Sequence, residues 1–375
     1  MQREVGRSLL TSCVMIALAI GAVAALARGA EPAAQPNQPA IVFPGKTWER
    51  RTPAEVRLDA TKLDELAALV EGRGCVVRHG YLVFSWGDEA KSRDVASAVK
   101  PLVSTLLAIA VEEGKLASVD ARVADVLPDL ATLDGGKNAA ITWRHFASQT
   151  SGYGLREAPG TAYGYNDFAL ALYYDTLMEK VFRQDGNDVL RTRLAEPLEF
   201  EDPYSFDKPK PGRLSTSVRD FARFGLLYLR GGRWHDREII EPKLLAMLLT
   251  SPIPADLPRT TGEDAPMLPD QRSLGGGKNI TPAGPGFYSF NWWLNRIDAQ
   301  GRRLYVDAPP DTYVAAGHGG KRMLWVIPSL DLVVSWNDSP IEDHDASPGD
   351  ASTKCNRAAR LMVEAARPAG EKVEY

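Results

Sequence analysis

The sequence predicts a single α/β fold: an antiparallel sheet flanked by N- and C-terminal helices, with a mostly helical insertion between the two halves. Three observations carry that expectation. A helical stripe followed by a hairpin opens the folded part. Short β-branched and aromatic runs separated by turn residues return near the end. Between them, residues 120–250 alternate helical periodicity with loops.

Residues 58–71 carry Leu63, Leu66, Leu69 and Val70 on one helical face, and Gly72 and Gly74 stop the helix. Two strand-like runs, 75–78 and 81–84, flank His79-Gly80, a dipeptide suited to a tight hairpin turn. Residues 99–111 are apolar nearly throughout, so a helix there is buried on all sides and ends at Gly114. Residues 218–229 alternate arginines and aliphatic side chains at helical spacing. Residues 252–286 hold many prolines and glycines without periodicity, a long loop of the kind that borders a site. Strand patterns follow at 288–294, 302–306, 323–327 and 332–336, and 356–366 is a closing amphipathic helix. The expected divisions are 58–125 and 280–375 for the two parts of the α/β domain, with 126–279 as the helical region.

Ahead of the fold, Arg3 and Arg7 precede an apolar run, 9–27, that closes on Ala25-Leu26-Ala27. This is the pattern of an export signal over residues 1–27, followed by a Pro-, Ala- and Gln-containing tether over 28–57. It predicts a periplasmic or secreted protein; retention of the run as an uncleaved membrane anchor is the alternative, and the only membrane association expected. Removal of the signal takes Cys13 and leaves Cys75 and Cys355, which could form a bridge or stay as two separate buried thiols.

The chain has 375 residues, 44% of them hydrophobic, and a formal net charge of -4, with no block of like charge able to follow a phosphate backbone. Nucleic acid is therefore not an expected partner. The five histidines show no His-x-His or His-Glu-x-x-His spacing and there is no Cys-x-x-Cys, so neither a metal nor another cofactor is expected.

Ser97-Ala98-Val99-Lys100 opens the buried helix. Three residues of separation put the hydroxyl and the amine on one face, about one turn apart. A serine needs a base to become a nucleophile. Burial can depress a lysine until it serves as one, and the positive end of a helix favours both the neutral amine and an oxyanion. The same spacing recurs at Ser205 and Lys208, but a Pro-Lys-Pro-Gly loop follows and no helix joins them.

Ser97 to Lys100 is followed by Glu112-Glu113-Gly114-Lys115-Leu116, Ile141-Thr142-Trp143-Arg144-His145, Gln149-Thr150-Ser151-Gly152 and Pro159-Gly160-Thr161. After these come Tyr165-Asn166-Asp167, Leu214-Ser215-Thr216 and His318-Gly319-Gly320. In that order they resemble the class C β-lactamase, DD-peptidase and esterase superfamily of serine hydrolases. The resemblance covers most of residues 58–340 and implies a β-lactamase-like fold. It also implies acyl transfer through Ser97 on a small-molecule or peptide-like ester, amide or peptide bond. Lys100 and Tyr165 would handle protons, His318-Gly319-Gly320 would stand for the family's Lys-Thr-Gly strand, and His318 would hold the polar end of the substrate. The backbone N–H groups of Ser97 and Lys321 would form the oxyanion hole. Two departures stand out: Asp167 occupies the family's Asn position, with Asn166 beside it as a candidate replacement donor, and His318 replaces a permanent cation. Both weaken the case for β-lactam hydrolysis relative to an esterase or DD-peptidase-like reaction.

Overall fold

The computed structural model describes residues 41–250, 253–278 and 281–367. The expected signal, Cys13 and the first part of the tether lie outside them. Among the described residues, the centre is a seven-stranded antiparallel sheet: β1 (Arg73–Arg78), β2 (Tyr81–Trp86), β3 (Tyr288–Ser289), β4 (Trp292–Leu294), β5 (Tyr313–Gly317), β6 (Arg322–Ile327) and β7 (Leu332–Asn337). Their spatial order is β2-β1-β7-β6-β5-β4-β3. Strands from the two ends of the described chain thus meet at the middle, where Val76 pairs with Val334.

The period of the strand dictates two cores. Leu324, Val326 and Val333 point to one face, with Phe221, Phe224 and Leu102 and Leu106 of the buried helix Lys100–Glu112. Trp325, Ile327 and Val334 point to the other, with Leu66 and Met362 of the terminal helices α1 (Ala60–Val70) and α5 (Lys354–Ala366). Because both faces are covered, the central strands read as continuous apolar runs rather than alternating ones. Asp59 starts α1 by accepting from Thr61 N–H at 2.8 Å, and Thr353 starts α5 by accepting from Asn356 N–H at 3.1 Å. Helix α4 (Val218–Leu229) lies close against the sheet at Gly225, where a Cβ would come within 2.7 Å of Val333 Cγ1. No described helix is long and apolar enough to cross a membrane.

Three strand expectations change. The run 288–294 is two strands, because Phe290 and Asn291 both take positive φ (44° and 69°) and fold it into a hairpin. The Asn291 amide is spent there, donating to Ser104 Oγ at 2.7 Å and accepting from Tyr288 Oη at 3.0 Å. Residues 302–306 form no strand; one isolated bridge joins Ile297 and Arg303. Asp298 draws the segment into a turn by accepting from Gln300 N–H and Arg302 N–H, each at 2.9 Å. Strand β5 is absent from the sequence reading because Ala315, Ala316 and Gly317 lack the bulk that marks a strand. Cys75 and Cys355 are both free and buried. Each lies in a different core cluster, on opposite faces of the sheet, so they form no bridge.

Candidate active site

Ser97 sits one step ahead of where the sequence puts it, in a 3₁₀ turn (Ala96–Val99) that leads into α2 (Lys100–Glu112). Asp94 shapes the entry: its Oδ1 accepts from Ala96 N–H at 2.7 Å, and Ala96 is held at φ 50°, a left-handed conformation rare for a residue with a side chain. Pro101 is tolerated in the first turn of α2 because no intrahelical donor is needed there.

Lys100 is 2% exposed and its Nζ is the hub of the site. It reaches Ser97 Oγ at 2.9 Å, Asp167 Oδ1 at 2.7 Å, and the hydroxyl of Tyr165 in a short contact. The same nitrogen lies 4.0 Å from the centroid of the Tyr165 ring. Burial lowers the Lys100 pKa below the usual lysine range, outweighing the pull of the Asp167 carboxylate, and Arg213 pushes the same way as burial. Tyr165 is shifted in the opposite sense: burial and then Asp167 raise it, with a hydrogen bond to Ser97 opposing them. The two shifts run in opposite senses: the amine gives up its proton more readily than an ordinary lysine, and the phenol holds its proton more tightly than an ordinary tyrosine.

Tyr165 is fixed by its packing. Trp293 of β4 stacks on it with centroids 6.2 Å apart, and Tyr288 of β3 meets it edge-on at 6.3 Å. Its backbone leads into α3 (Asp167–Thr176), which places the Asp167 carboxylate next to Lys100.

A cleft of about 340 Å³ opens over these groups. Ser97, Tyr165 and Asp167 line it, facing the turn between β5 and β6 that carries His318, Gly319 and Gly320. This turn needs its glycines: a Cβ on Gly319 would meet the His344 ring at 2.6 Å, and one on Gly320 would meet Cys355 Sγ at 2.7 Å. His318 and His344 stand edge to face, 4.8 Å apart. Partial burial, then the neighbouring His344, Arg322 and Lys321, lower the His318 pKa, so its ring is mainly neutral at physiological pH.

The sequence profile described as Beta-lactamase matches residues 74–337. The chain belongs to the beta-lactamase family. Among solved structures it is similar to a β-lactamase from Mycobacterium bovis, at 19% identity and a TM-score of 0.55, covering 81% of this chain and 99% of that one. It is similar to EstCE1, a hydrolase with promiscuous acyltransferase activity, at 14% identity and a TM-score of 0.60, covering 80% and 98%. A family VIII carboxylesterase gives 15% identity and a TM-score of 0.56, covering 80% and 96%. At such identities the likeness is one of fold. No curated protein matches the chain.

Two residues expected at the site of this beta-lactamase family member are used elsewhere. Asn166 does not supply a donor to the cleft: its Oδ1 caps α3, accepting from Phe168 N–H at 3.0 Å, and its Nδ2 donates to Tyr153 O at 2.7 Å. Lys321 lies outside the cleft lining; its N–H is directed at His318 O within the turn, at 3.3 Å, and its ammonium pairs with Glu342. Ser205, the rival serine, is exposed in a two-residue strand (Ser205–Phe206). Arg213, Trp293, Asp343 and His344 also line the cleft and carried no sequence signal, because each arrives from a segment remote from the three motifs.

Proposed function

We propose that this protein is a serine hydrolase that works through an acyl-Ser97 intermediate on an ester, amide or peptide-like bond, with esterase or DD-peptidase-like chemistry. The observation that carries the reading is Lys100 Nζ in contact with Ser97 Oγ, Tyr165 Oη and Asp167 Oδ1 at the floor of one cleft. Neutral Lys100 takes the Ser97 proton as Oγ bonds to the substrate carbonyl carbon and the carbonyl electrons move to oxygen. The positive end of α2 and the Ser97 N–H favour that oxyanion. Collapse of the tetrahedral species expels the leaving group, which takes a proton from Tyr165, and the Lys100 ammonium restores the Tyr165 proton. Water then adds to the acyl carbon as the Lys100–Tyr165 pair takes its proton, and collapse of this second tetrahedral species breaks the bond to Ser97 Oγ, which takes that proton from the pair as the acid leaves.

A fluorescent phosphonate tests this. It is expected to label the wild type on a peptide containing Ser97 and to label Ser205→Ala equally, while Ser97→Ala stays folded, unlabelled and inactive on short-chain p-nitrophenyl esters. Equal losses in both variants would overturn the choice of serine. A second reading, a silent relative that binds peptide-like ligands, is favoured by Asp167, whose carboxylate pulls Lys100 toward its charged form. Absence of labelling, with retained binding of a D-Ala-D-Ala peptide, is its signature. The two arginines and the apolar run of the first 27 residues support export of the protein. The N-terminal sequence of the mature chain tests that.

A further inference from the structure

The charges around the cleft are not balanced, and the imbalance bears on which acyl donors it admits. This inference rests on the acyl-Ser97 reading above. The charged side chains of the lining are Asp167, Arg213, Asp343 and Asp350. Arg213 is already engaged: its Nε donates to Asp94 Oδ1 at 3.0 Å, its Nη2 contacts Asp94 Oδ2, and its Nη1 donates to Leu274 O at 3.1 Å. Asp167 Oδ1 is engaged by Lys100 Nζ, which donates to it at 2.7 Å. The other two carboxylates are held by neutral donors, Asp343 by Cys355 N–H at 2.8 Å and Asp350 by Ser352 N–H at 2.8 Å and Ser352 Oγ at 2.6 Å. Apart from the two histidines, the lining therefore offers a carboxylated substrate no uncommitted arginine or lysine, and it presents two carboxylates that no described arginine or lysine pairs with.

The same lining is apolar over much of its extent. Trp293, Leu304, Tyr305, Ala316 and Met323 line the cleft together, and Ala316 and Met323 are paired neighbours on β5 and β6. Burial of a chain of methylenes against these side chains is favourable.

We propose that the cleft selects acyl donors with a neutral, apolar acyl group, and that Asp94 sets this selectivity by engaging Arg213, the cation of the lining best placed to receive a substrate carboxylate. Asp94 acts through Arg213 and the Ala96 turn and touches no substrate; it is a positioning residue. Its carboxylate also holds the backbone before Ser97, so the test uses a substitution that keeps that acceptor.

The probes are the p-nitrophenyl monoester of adipic acid and the same compound with its free carboxyl capped as a methyl ester, both followed by nitrophenol release. Wild-type kcat/KM is expected to be about tenfold or more lower for the free acid, the size of one poorly screened like-charge contact. The difference should shrink as salt is raised. In Asp94→Asn the amide oxygen can still accept from Ala96 N–H, but the charge holding Arg213 is gone. The ratio of the two esters is then expected to move toward the free acid by about tenfold. A merely structural defect would lower both esters alike and leave their ratio unchanged, which would overturn the proposal. So would equal wild-type rates on the two esters, a wild-type preference for the free acid, or a preference indifferent to salt; the wild-type ratio and its salt dependence decide the matter if Asp94→Asn fails to fold. Nitrophenol release that survives Ser97→Ala would instead sink the acyl-Ser97 reading on which the inference rests.

Discussion

Replacing Asp167 by Asn isolates the carboxylate from the geometry that surrounds it. Asp167 Oδ1 is 2.7 Å from Lys100 Nζ, and the two side chains are 5% and 2% exposed, so solvent screens the pair little. Burial lowers the Lys100 pKa, Asp167 pulls it back up, and Arg213 adds to the lowering. Asn keeps the size and an acceptor oxygen but removes the upward pull. The folded-state pKa of Lys100 then falls further. Lys100 must be neutral to accept the Ser97 proton, so kcat/KM drops as pH falls through that value, and the acid limb of the profile marks it. The limb is expected to move toward lower pH by about 1 to 3 units, the usual effect of an adjacent opposite charge, which corresponds to about 1.4 to 4 kcal/mol. The assay is kcat/KM for a short-chain p-nitrophenyl ester measured from acid to mildly alkaline pH in both proteins. A limb that stays in place or moves toward higher pH would refute the assignment of Lys100 as the base.

Two other substitutions report on separate parts of the molecule. Tyr165→Phe keeps the ring against Trp293 and Tyr288 but removes the hydroxyl proposed as the proton donor. We expect kcat to fall about 10² to 10⁴-fold with an unchanged circular dichroism spectrum. Arg223→Met tests a buried network away from the cleft. Arg223 is fully buried and donates to Glu201 Oε1 at 2.7 Å, to Gly45 O at 3.0 Å and to Leu198 O at 3.2 Å, with Asp220 beside it. Its loss leaves the buried Asp220 without the guanidinium beside it and Glu201 with Arg219 as its remaining cation, and urea unfolding should report about 3 kcal/mol of lost stability.

The parts of the fold that could be read in sequence are those with strong local rules. α4 occupies residues 218–229 as its periodicity requires, and β1, β2, β6 and β7 fall on their apolar runs with His79-Gly80 as the turn. Helix α2 was legible because a nearly all-apolar run containing one lysine demands an explanation for the lysine. Strand β5 was illegible because two alanines and a glycine look the same in a strand as in a loop. The hairpin at Phe290-Asn291 was hidden because the bonds that hold it come from Ser104 and Tyr288, one of them 187 residues away in the chain.

The sequence by itself determined the sheet-and-helix class, the serine at the entry to a buried helix, the lysine three positions on, and the tyrosine that follows in the family order. Only the tertiary structure decided what those groups share. It put Asp167 in the amine's company and left Asn166 to cap a helix. It also turned Lys321 away from the cleft, committed Arg213 to Asp94, and brought His344 against His318. The physical reason is range. Helix and strand formation depend on side chains a few positions apart, whereas the charge state of Lys100 and the character of the cleft depend on partners 67 to more than 100 residues away, placed by the packing of both cores.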